Sequence, residues 1–314
     1  DTPVFPQLRL GVLFSWLSGA IIAAAQGALN VSELALLHSL AAHLAPGDIL
    51  LGDRGFGSYP VIAWLKSLGV DFVGRTTRRV DGRRRRQRLG RNDWLLRWTP
   101  TPSCASRWLT ALERQALPAE LLVRALRGSC YQKGFRVRQV TVITTLLDPQ
   151  RYPAEQILRA YLRRWRLEMC LDDLKTTLQM DFMRGRSPQM VQKEMYTRLI
   201  AHNLVRCLMA QAASRHEVPL ERLSFKGSLD ALRHFAQAMA HARSKAKRQR
   251  LWERLLQTLS RDLVPERPGR REPRALKRKK TKYPRLEGSR RTFRERPKRN
   301  TRRTIARLRS LGLM

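Results

Sequence analysis

The feature that most constrains the fold is the stretch PAEQILRAYLRRWRLEMCLDDLKTTL at residues 153–178, which contains no glycine and no proline after its first residue. Most of its residues are strong helix formers. Pro153 suits the first turn of a helix, and the residue before a proline is disfavoured in helical conformation. The stretch therefore predicts one long helix from residue 153 to residue 178.

Four polar residues of this helix are predicted to share one face. With successive residues about 100° apart, Tyr161, Arg164, Glu168 and Lys175 fall within a stripe about 60° wide. Apolar residues lie beside the stripe, so it borders the buried side of the helix. A carboxylate held there between two cations suits a metal ligand. The alternative is a solvent-exposed helix whose Arg164–Glu168 pair contributes only a few tenths of a kcal/mol.

A second candidate carboxylate is Asp53. The sequence DILLGDRGFG at residues 48–57 predicts a short strand that ends at Asp53 and runs into a glycine-rich turn. Ligands of open α/β sheets bind at such strand ends. The alternative is that Asp53 only forms an Asx-turn, or caps a helix predicted at residues 59–68. A further strand is predicted at residues 70–75.

Residues 76–147 are basic and are predicted to be mostly β. Arginines crowd residues 78–91 around an Asp-Gly turn signal, and alternating patterns from residue 120 onward predict strands. Trp94, Trp98 and Trp108 follow the arginines. Aromatics among basic residues suit base stacking beside phosphate contacts, or simple packing in a small core.

Elsewhere, paired strands are predicted within residues 5–29 with a turn at Ser18-Gly19, and helices at residues 32–44, 190–213 and 229–242.

The charge of the chain predicts a polyanionic partner. Its 314 residues carry 62 Lys and Arg against 25 Asp and Glu, a formal net charge of +37. Such self-repulsion indicates nucleic acid as the partner. Residues 242–314 are poor in apolar side chains and rich in Pro, Gly, Lys and Arg, so this tail is predicted to be largely disordered. No apolar run has the length of a membrane span, and the four cysteines show no metal-binding spacing.

Together, Asp53 and Glu168 suggest a site for a hard divalent cation such as Mg²⁺, which prefers oxygen ligands. Two such ions can stabilise the attacking and leaving oxygens of a phosphodiester displacement. The residues alone therefore favour phosphoryl transfer on nucleic acid.

Two motifs carry a family resemblance. The spacing Tyr161-x2-Arg164-x3-Glu168-x6-Lys175 resembles the YREK signature of DDE transposases of the insertion-sequence-four type. LLGDRGFGSY at residues 50–59 resembles the second-aspartate motif of that family. PERPGRREPRALKR at residues 265–278 resembles a tail common among its members. The resemblance covers about residues 1–290.

The resemblance implies an α/β fold of the ribonuclease-H-like kind, a mixed sheet flanked by helices and interrupted by a mostly β insertion. Residues 1–75 would form the first part of the catalytic core and residues 76–147 the insertion. Residues 148–241 would form the C-terminal helical part of the core, and residues 242–314 the basic, largely disordered tail.

The resemblance also implies roles for the candidate residues. Asp53 and Glu168 are expected to be catalytic and to bind Mg²⁺, for which Mn²⁺ can substitute. Arg164 and Lys175 are expected to hold DNA phosphates, and Tyr161 to help place the terminal phosphate of the transposon end. Asp172, one turn beyond Glu168, is expected to be structural.

The family implies metal-dependent cleavage and strand transfer by a cut-and-paste route. The partners would be double-stranded DNA, as transposon ends and target, and a second copy of the chain in a DNA-bound homodimer. The protein would be cytoplasmic and nucleoid-associated in a bacterium, without a membrane partner. The first catalytic aspartate of the family is expected upstream of Asp1. The alternatives are a non-catalytic, basic nucleic-acid-binding protein and a decayed transposase remnant.

Overall fold

The computed structural model describes residues 2–3, 7–76, 85–100, 106–129, 139–265 and 285–286. The strands are β1 (Thr2–Pro3), β2 (Leu8–Phe14), β3 (Ile21–Ala28), β4 (Ile49–Gly52), β5 (Asp71–Gly74), β6 (Arg85–Gly90), β7 (Asp93–Trp98), β8 (Leu121–Ser129), β9 (Gln139–Thr144) and β10 (Arg285–Leu286). The α-helices are α1 (Glu33–Ser39), α2 (Tyr59–Ser67), α3 (Ala111–Gln115), α4 (Ala154–Leu162), α5 (Trp165–Asp172), α6 (Pro188–Arg215), α7 (Phe225–Ala240) and α8 (Lys245–Arg261).

The chain divides into two compact units. The smaller comprises Asp1–Arg9, Gln26–Val31 and Glu272–Met314, and in it β1 pairs antiparallel with β10. The larger comprises Leu10–Ala25 and Ser32–Arg271 and contains all the α-helices named above. The mixed α/β character that the sequence predicts is confirmed.

The main sheet has six strands in the order β4-β5-β9-β8-β7-β6. β4 and β5 are parallel, and the other neighbours are antiparallel. Within residues 76–147, the described part is mostly β with the short helix α3. Because β9 pairs directly with β5, the sheet continues across the boundary predicted at residue 75. Residues 77–84, 101–105 and 130–138 lie outside the described part of the chain.

β2 and β3 form a separate two-stranded sheet. Gly19, in the turn between them, has a φ of 68°, a left-handed conformation that favours glycine. The predicted pair of strands with a turn at Ser18-Gly19 is therefore confirmed. Within the larger unit, Phe14 and Ile21 of this hairpin pack against a small core that contains Leu174 and Met195.

The helix predicted at residues 153–178 is three consecutive pieces: α4, α5 and a π-helical turn at Asp173–Thr177. At the first joint, the N–H groups of Arg164, Arg166 and Leu167 bond to carbonyls three residues back, at 2.9–3.0 Å. Bonds of this kind tighten the turn and interrupt the α-helix. The prediction of one continuous helix is therefore wrong, since side-chain periodicity does not reveal such a joint.

The pieces on either side of the joint pack in different cores. Tyr161 of α4 is buried with Val73 and other side chains of the main sheet. Leu174 of the π-helical turn is buried with Met195 and Leu199 of α6. The residues of the predicted polar stripe therefore lie on helical segments that pack in two different hydrophobic cores.

Helix α8 lies within residues 242–314, which the sequence predicts to be largely disordered. That prediction does not hold for residues 245–261, because Leu255, Leu256 and Leu259 recur at helical spacing and are buried against α6 and α7. Residues 266–284 and 287–314 fall outside the described residues. In the described part of the chain, no helix combines the length and apolar character that crossing a bilayer requires.

Candidate active site

Asp53 lies at the carboxyl end of β4, and its side chain is exposed. Its Oδ1 accepts a hydrogen bond from the Gly55 N–H at 2.7 Å, which is the Asx-turn that the sequence offers as an alternative. This turn engages one carboxylate oxygen. The other is left to bind a ligand, so the turn and a binding role are compatible.

Arg75 lies beside Asp53 at the same edge of the sheet. In the parallel pair formed by β4 and β5, Gly52 is the register partner of Gly74, so the residues that follow them leave the sheet side by side. The turn after Asp53 packs closely here: a Cβ at Gly57 would come within 1.7 Å of the Arg75 carbonyl oxygen. Sequence reasoning missed Arg75, although its position at the end of a predicted strand was the signal that could have found it.

The signature residues Tyr161, Arg164 and Glu168 form a continuous row across the joint between α4 and α5. Arg164 donates from Nη2 to Glu168 Oε1 at 2.8 Å. Its guanidinium carbon lies 6.0 Å from the centroid of the Tyr161 ring. The side chain of Glu168 is 42% exposed, so a ligand can reach its carboxylate despite the ion pair.

Tyr161 connects this row to the strand ends. Burial raises the pKa of Tyr161, the positive charges of Arg164 and Arg75 oppose that rise, and the negative charge of Asp53 adds to it. The packing places Tyr161 near both strand ends, because it lies in one core with Leu51 of β4 and Val73 of β5, the strands that end just before Asp53 and Arg75. The structure thus packs the helix that carries Tyr161 against the strand that precedes Asp53, although the two residues are more than 100 positions apart in the sequence.

Lys175, the fourth signature residue, lies apart from the row formed by the other three in the described part of the chain. It is exposed on the π-helical turn. Among the described residues, the Lys175 side chain has no hydrogen bond or ion pair. The π-helical turn changes the angular position of Lys175 relative to an α-helix, which explains why the uniform spacing expected of a single helix does not apply there.

The neighbouring acidic residues have other partners. Asp172 is exposed and accepts a hydrogen bond from Thr176 Oγ1 at 2.9 Å. Burial raises the pKa of Asp173 to about 7, an effect opposed by Arg206 and reinforced by Asp172. Within the described ranges, no group of three or more His, Cys, Asp or Glu side chains could hold a metal ion. Two exposed carboxylates are therefore open to a ligand at this site. Asp53 lies at the end of β4, and Glu168 lies in the signature row.

Comparison with known proteins identifies the family of the chain. Residues 5–204, well over half of the chain, match the family described as Transposase DDE domain. The chain is 25% identical over 288 residues to the Transposase InsG for insertion sequence element IS4 of Escherichia coli (strain K12). That match covers 90% of this chain and 62% of the relative, so the chain spans less than two thirds of the relative's length. The chain therefore belongs to the DDE transposase family.

Proposed function

We propose that this chain is the catalytic region of a DNA transposase that cleaves and joins DNA at transposon ends by a cut-and-paste route, on a ribonuclease-H-like core. Membership of the DDE family implies phosphoryl-transfer chemistry of the nuclease type. The observation that carries the proposal is the packing of Tyr161, the first residue of the signature row, in one core with Leu51 of β4 and Val73 of β5. It unites the strand ends with the signature helix.

Asp53 and Glu168 would hold Mg²⁺, for which Mn²⁺ can substitute. Both are carboxylates with accessible oxygens, which is the donor chemistry that Mg²⁺ prefers. Mg²⁺ is commonly bound by one or two carboxylates and completes its coordination shell with water and substrate phosphates. Two protein carboxylates are therefore enough to bind it. Asp53 and Glu168 would hold the metal, and a pair of such ions would supply electrostatic stabilisation to the attacking and leaving oxygens of the phosphodiester.

The other residues of the site would bind and orient the DNA. Arg164 and Arg75 present guanidinium groups that match phosphate geometry, and Lys175 adds a third cation. The Tyr161 hydroxyl, like any phenol, is protonated at neutral pH and can donate a hydrogen bond to a terminal phosphate. These groups hold the scissile phosphate beside the two carboxylates.

The partners that follow are double-stranded DNA, at transposon ends and target, and a second copy of the chain in a DNA-bound homodimer. The location would be the bacterial cytoplasm, in association with the nucleoid. The net charge of +37 also supports a second function, sequence-tolerant binding of nucleic acid without catalysis. The two functions differ in whether a divalent cation is needed.

The test is strand cleavage of a supercoiled plasmid that carries the DNA flanking the gene, with and without Mg²⁺. We expect Mg²⁺-dependent nicking that Asp53→Asn and Glu168→Gln each abolish while DNA binding persists. Asp172→Asn is the matched control, because it removes an exposed carboxylate one turn from Glu168. Normal cleavage by Glu168→Gln would refute the site. Binding without cleavage by the unmodified chain would favour the second function.

A further inference from the structure

We propose that one face of α8 is a docking surface for the phosphate backbone of duplex DNA. This basic stripe consists of Lys247, Arg250, Arg254 and Arg261. The inference rests on the proposed function for its choice of DNA as the partner, and it adds a contact surface outside the signature residues.

The four cations of the stripe are aligned along the helix. At about 100° per residue they fall within an arc about 60° wide, and they span roughly 21 Å of helix axis. All four side chains are exposed. The opposite side of the same helix buries Leu255 and Leu259 against α6 and α7. The helix therefore presents a continuous basic edge to the solvent.

The stripe lacks the neutralising partners that other helical arginines have. Among the described residues, no carboxylate lies within 4.0 Å of any of its four cations. The helix contains one acidic residue, Glu253, which is bonded to Arg215 at 3.0 Å and to Gln249 at 2.9 Å. By contrast, several helical arginines elsewhere are paired with carboxylates: Arg159 with Glu155, Arg164 with Glu168, Arg166 with Glu221, Arg198 with Glu194, and Arg233 with Asp230.

This arrangement is unfavourable for an isolated helix. Like charges three or four residues apart on a helix repel one another. Cations in the first turn, where Lys247 and Arg248 lie, also oppose the positive end of the helix dipole. Binding of a polyanion along the stripe would remove both penalties.

The stripe is held on a fixed support. At its start, Ser244 Oγ accepts a hydrogen bond from the Lys247 N–H at 3.2 Å. At its end, the Ser224 N–H donates to the Asp262 carbonyl at 3.0 Å, and Leu223 forms a β-bridge with Leu263. The spacing of the cations is therefore set before any ligand binds, which reduces the entropy lost on binding.

Duplex DNA fits this length and charge. A span of roughly 21 Å corresponds to about six base pairs of B-DNA along its axis. Arginine guanidinium groups bind phosphate oxygens with two parallel hydrogen bonds. A membrane surface fits less well, because a helix that binds in a lipid interface needs a free apolar face, and the apolar face of α8 is already buried.

The test compares the salt dependence of binding to a mixed-sequence DNA duplex for the full chain and for the variant Lys247→Gln, Arg250→Gln, Arg254→Gln, Arg261→Gln. We expect the slope of log affinity against log salt to become shallower by about 3–4, since each phosphate contact contributes about 0.9. An unchanged slope would overturn the inference.

The matched control is Lys66→Gln, Arg97→Gln, Arg159→Gln, Arg233→Gln. It removes the same charge from exposed cations that already pair with carboxylates. We expect its slope to fall by less than about 1. An equal loss in the control would mean that total charge, and not the stripe, governs binding. Stronger binding of the unmodified chain to phosphatidylserine vesicles than to duplex would also contradict the inference.

A second measurement does not depend on folding of a variant. In the unmodified chain, bound duplex should slow chemical acetylation of Lys247 but not that of Lys66, and equal rates with and without DNA would contradict the inference. The two proposals fail separately. If the stripe variant binds duplex with an unchanged salt slope while the unmodified chain still cleaves DNA, only the docking surface is refuted. If the salt slope changes as expected but the unmodified chain does not cleave, only the transposase activity is refuted.

Discussion

Arg124 donates two hydrogen bonds to Asp93, from Nε to Oδ1 at 2.9 Å and from Nη2 to Oδ2 at 2.6 Å, and both side chains are buried. The remaining nitrogen, Nη1, donates to the carbonyl of Tyr152 at 2.7 Å, just before α4 begins. One side chain thus ties β7 and β8 to the start of the helix that carries Tyr161.

Removal of this buried guanidinium should destabilise the chain strongly. We expect Arg124→Met to lower the free energy of unfolding by about 3–5 kcal/mol, because it leaves the Asp93 carboxylate buried without its partner. Urea denaturation measures the change. The control is Arg97→Met, which removes an exposed arginine 3.1 Å from Glu120 and should cost less than about 1 kcal/mol. Equal losses in both variants would contradict the prediction.

Arg164 and Arg166 permit a matched comparison within one turn. Each donates from Nη2 to a glutamate, Arg164 to Glu168 at 2.8 Å and Arg166 to Glu221 at 2.7 Å. Arg164→Gln should lower the rate of Mg²⁺-dependent strand cleavage by about 100-fold, since it removes a cation from the scissile phosphate. Arg166→Gln should leave the rate within a few-fold. Similar rates for the two variants would show that Arg164 acts only through surface charge.

Gly57 is required by the close approach of its turn to β5. An added methyl group would lie 1.7 Å from the Arg75 carbonyl oxygen, so Gly57→Ala must displace the turn that begins at Asp53. We expect a lower thermal midpoint and loss of strand cleavage together. Gly90→Ala is the control, because its nearest contact would be 3.8 Å away, at Asp93 Cβ. Full cleavage activity in Gly57→Ala would mean that the position of the turn does not matter.

His202 makes stability depend on pH. It is buried and stacked 5.1 Å from the Phe225 ring. Burial, reinforced by the charge of Arg206, lowers the pKa of His202 from 6.5 to about 4. Between pH 6.5 and pH 4, His202 therefore binds a proton in the unfolded chain but not in the folded chain. The free energy of unfolding is highest above pH 6.5 and decreases as the pH falls toward 4.

Replacement of His202 should remove this loss. As the pH is lowered from 6.5 to 4, the unfolding free energy of the unmodified chain should fall relative to that of His202→Phe. The difference between the two should change by up to about 1.4 kcal/mol per pH unit. Urea denaturation across that range measures the difference. His43→Gln, at an exposed histidine, should show no such trend. A difference that stays constant with pH would exclude His202 as the titrating group.

Local signals in the sequence were sufficient for several elements. An apolar run followed by glycines predicts β4 and the turn at Asp53, and the Ser18-Gly19 dipeptide marks a turn where Gly19 does adopt positive φ. The spacing of Tyr161, Arg164 and Glu168 predicts a shared row, which the Arg164–Glu168 bond preserves across the joint. These features depend on neighbours only a few residues apart.

The remaining features depend on distant partners. The position of Arg75 beside Asp53 follows from strand register, and the pairing of β5 with β9 joins segments that composition alone separates. α8 looks too basic to pack, yet three leucines on one side suffice when α6 and α7 cover them. The joint at Arg164 arises from backbone bonding that side-chain patterns do not encode.

The joint between α4 and α5 gives the site a mechanical property. Tyr161 moves with the main sheet, whereas the segment that follows Glu168 is anchored through Leu174 to α6. The separation of tyrosine and glutamate therefore depends on the angle between the two cores. The alignment of Tyr161 with Glu168 is therefore set by how these two cores are oriented. A substitution inside either core is expected to alter cleavage even when it contacts no signature residue.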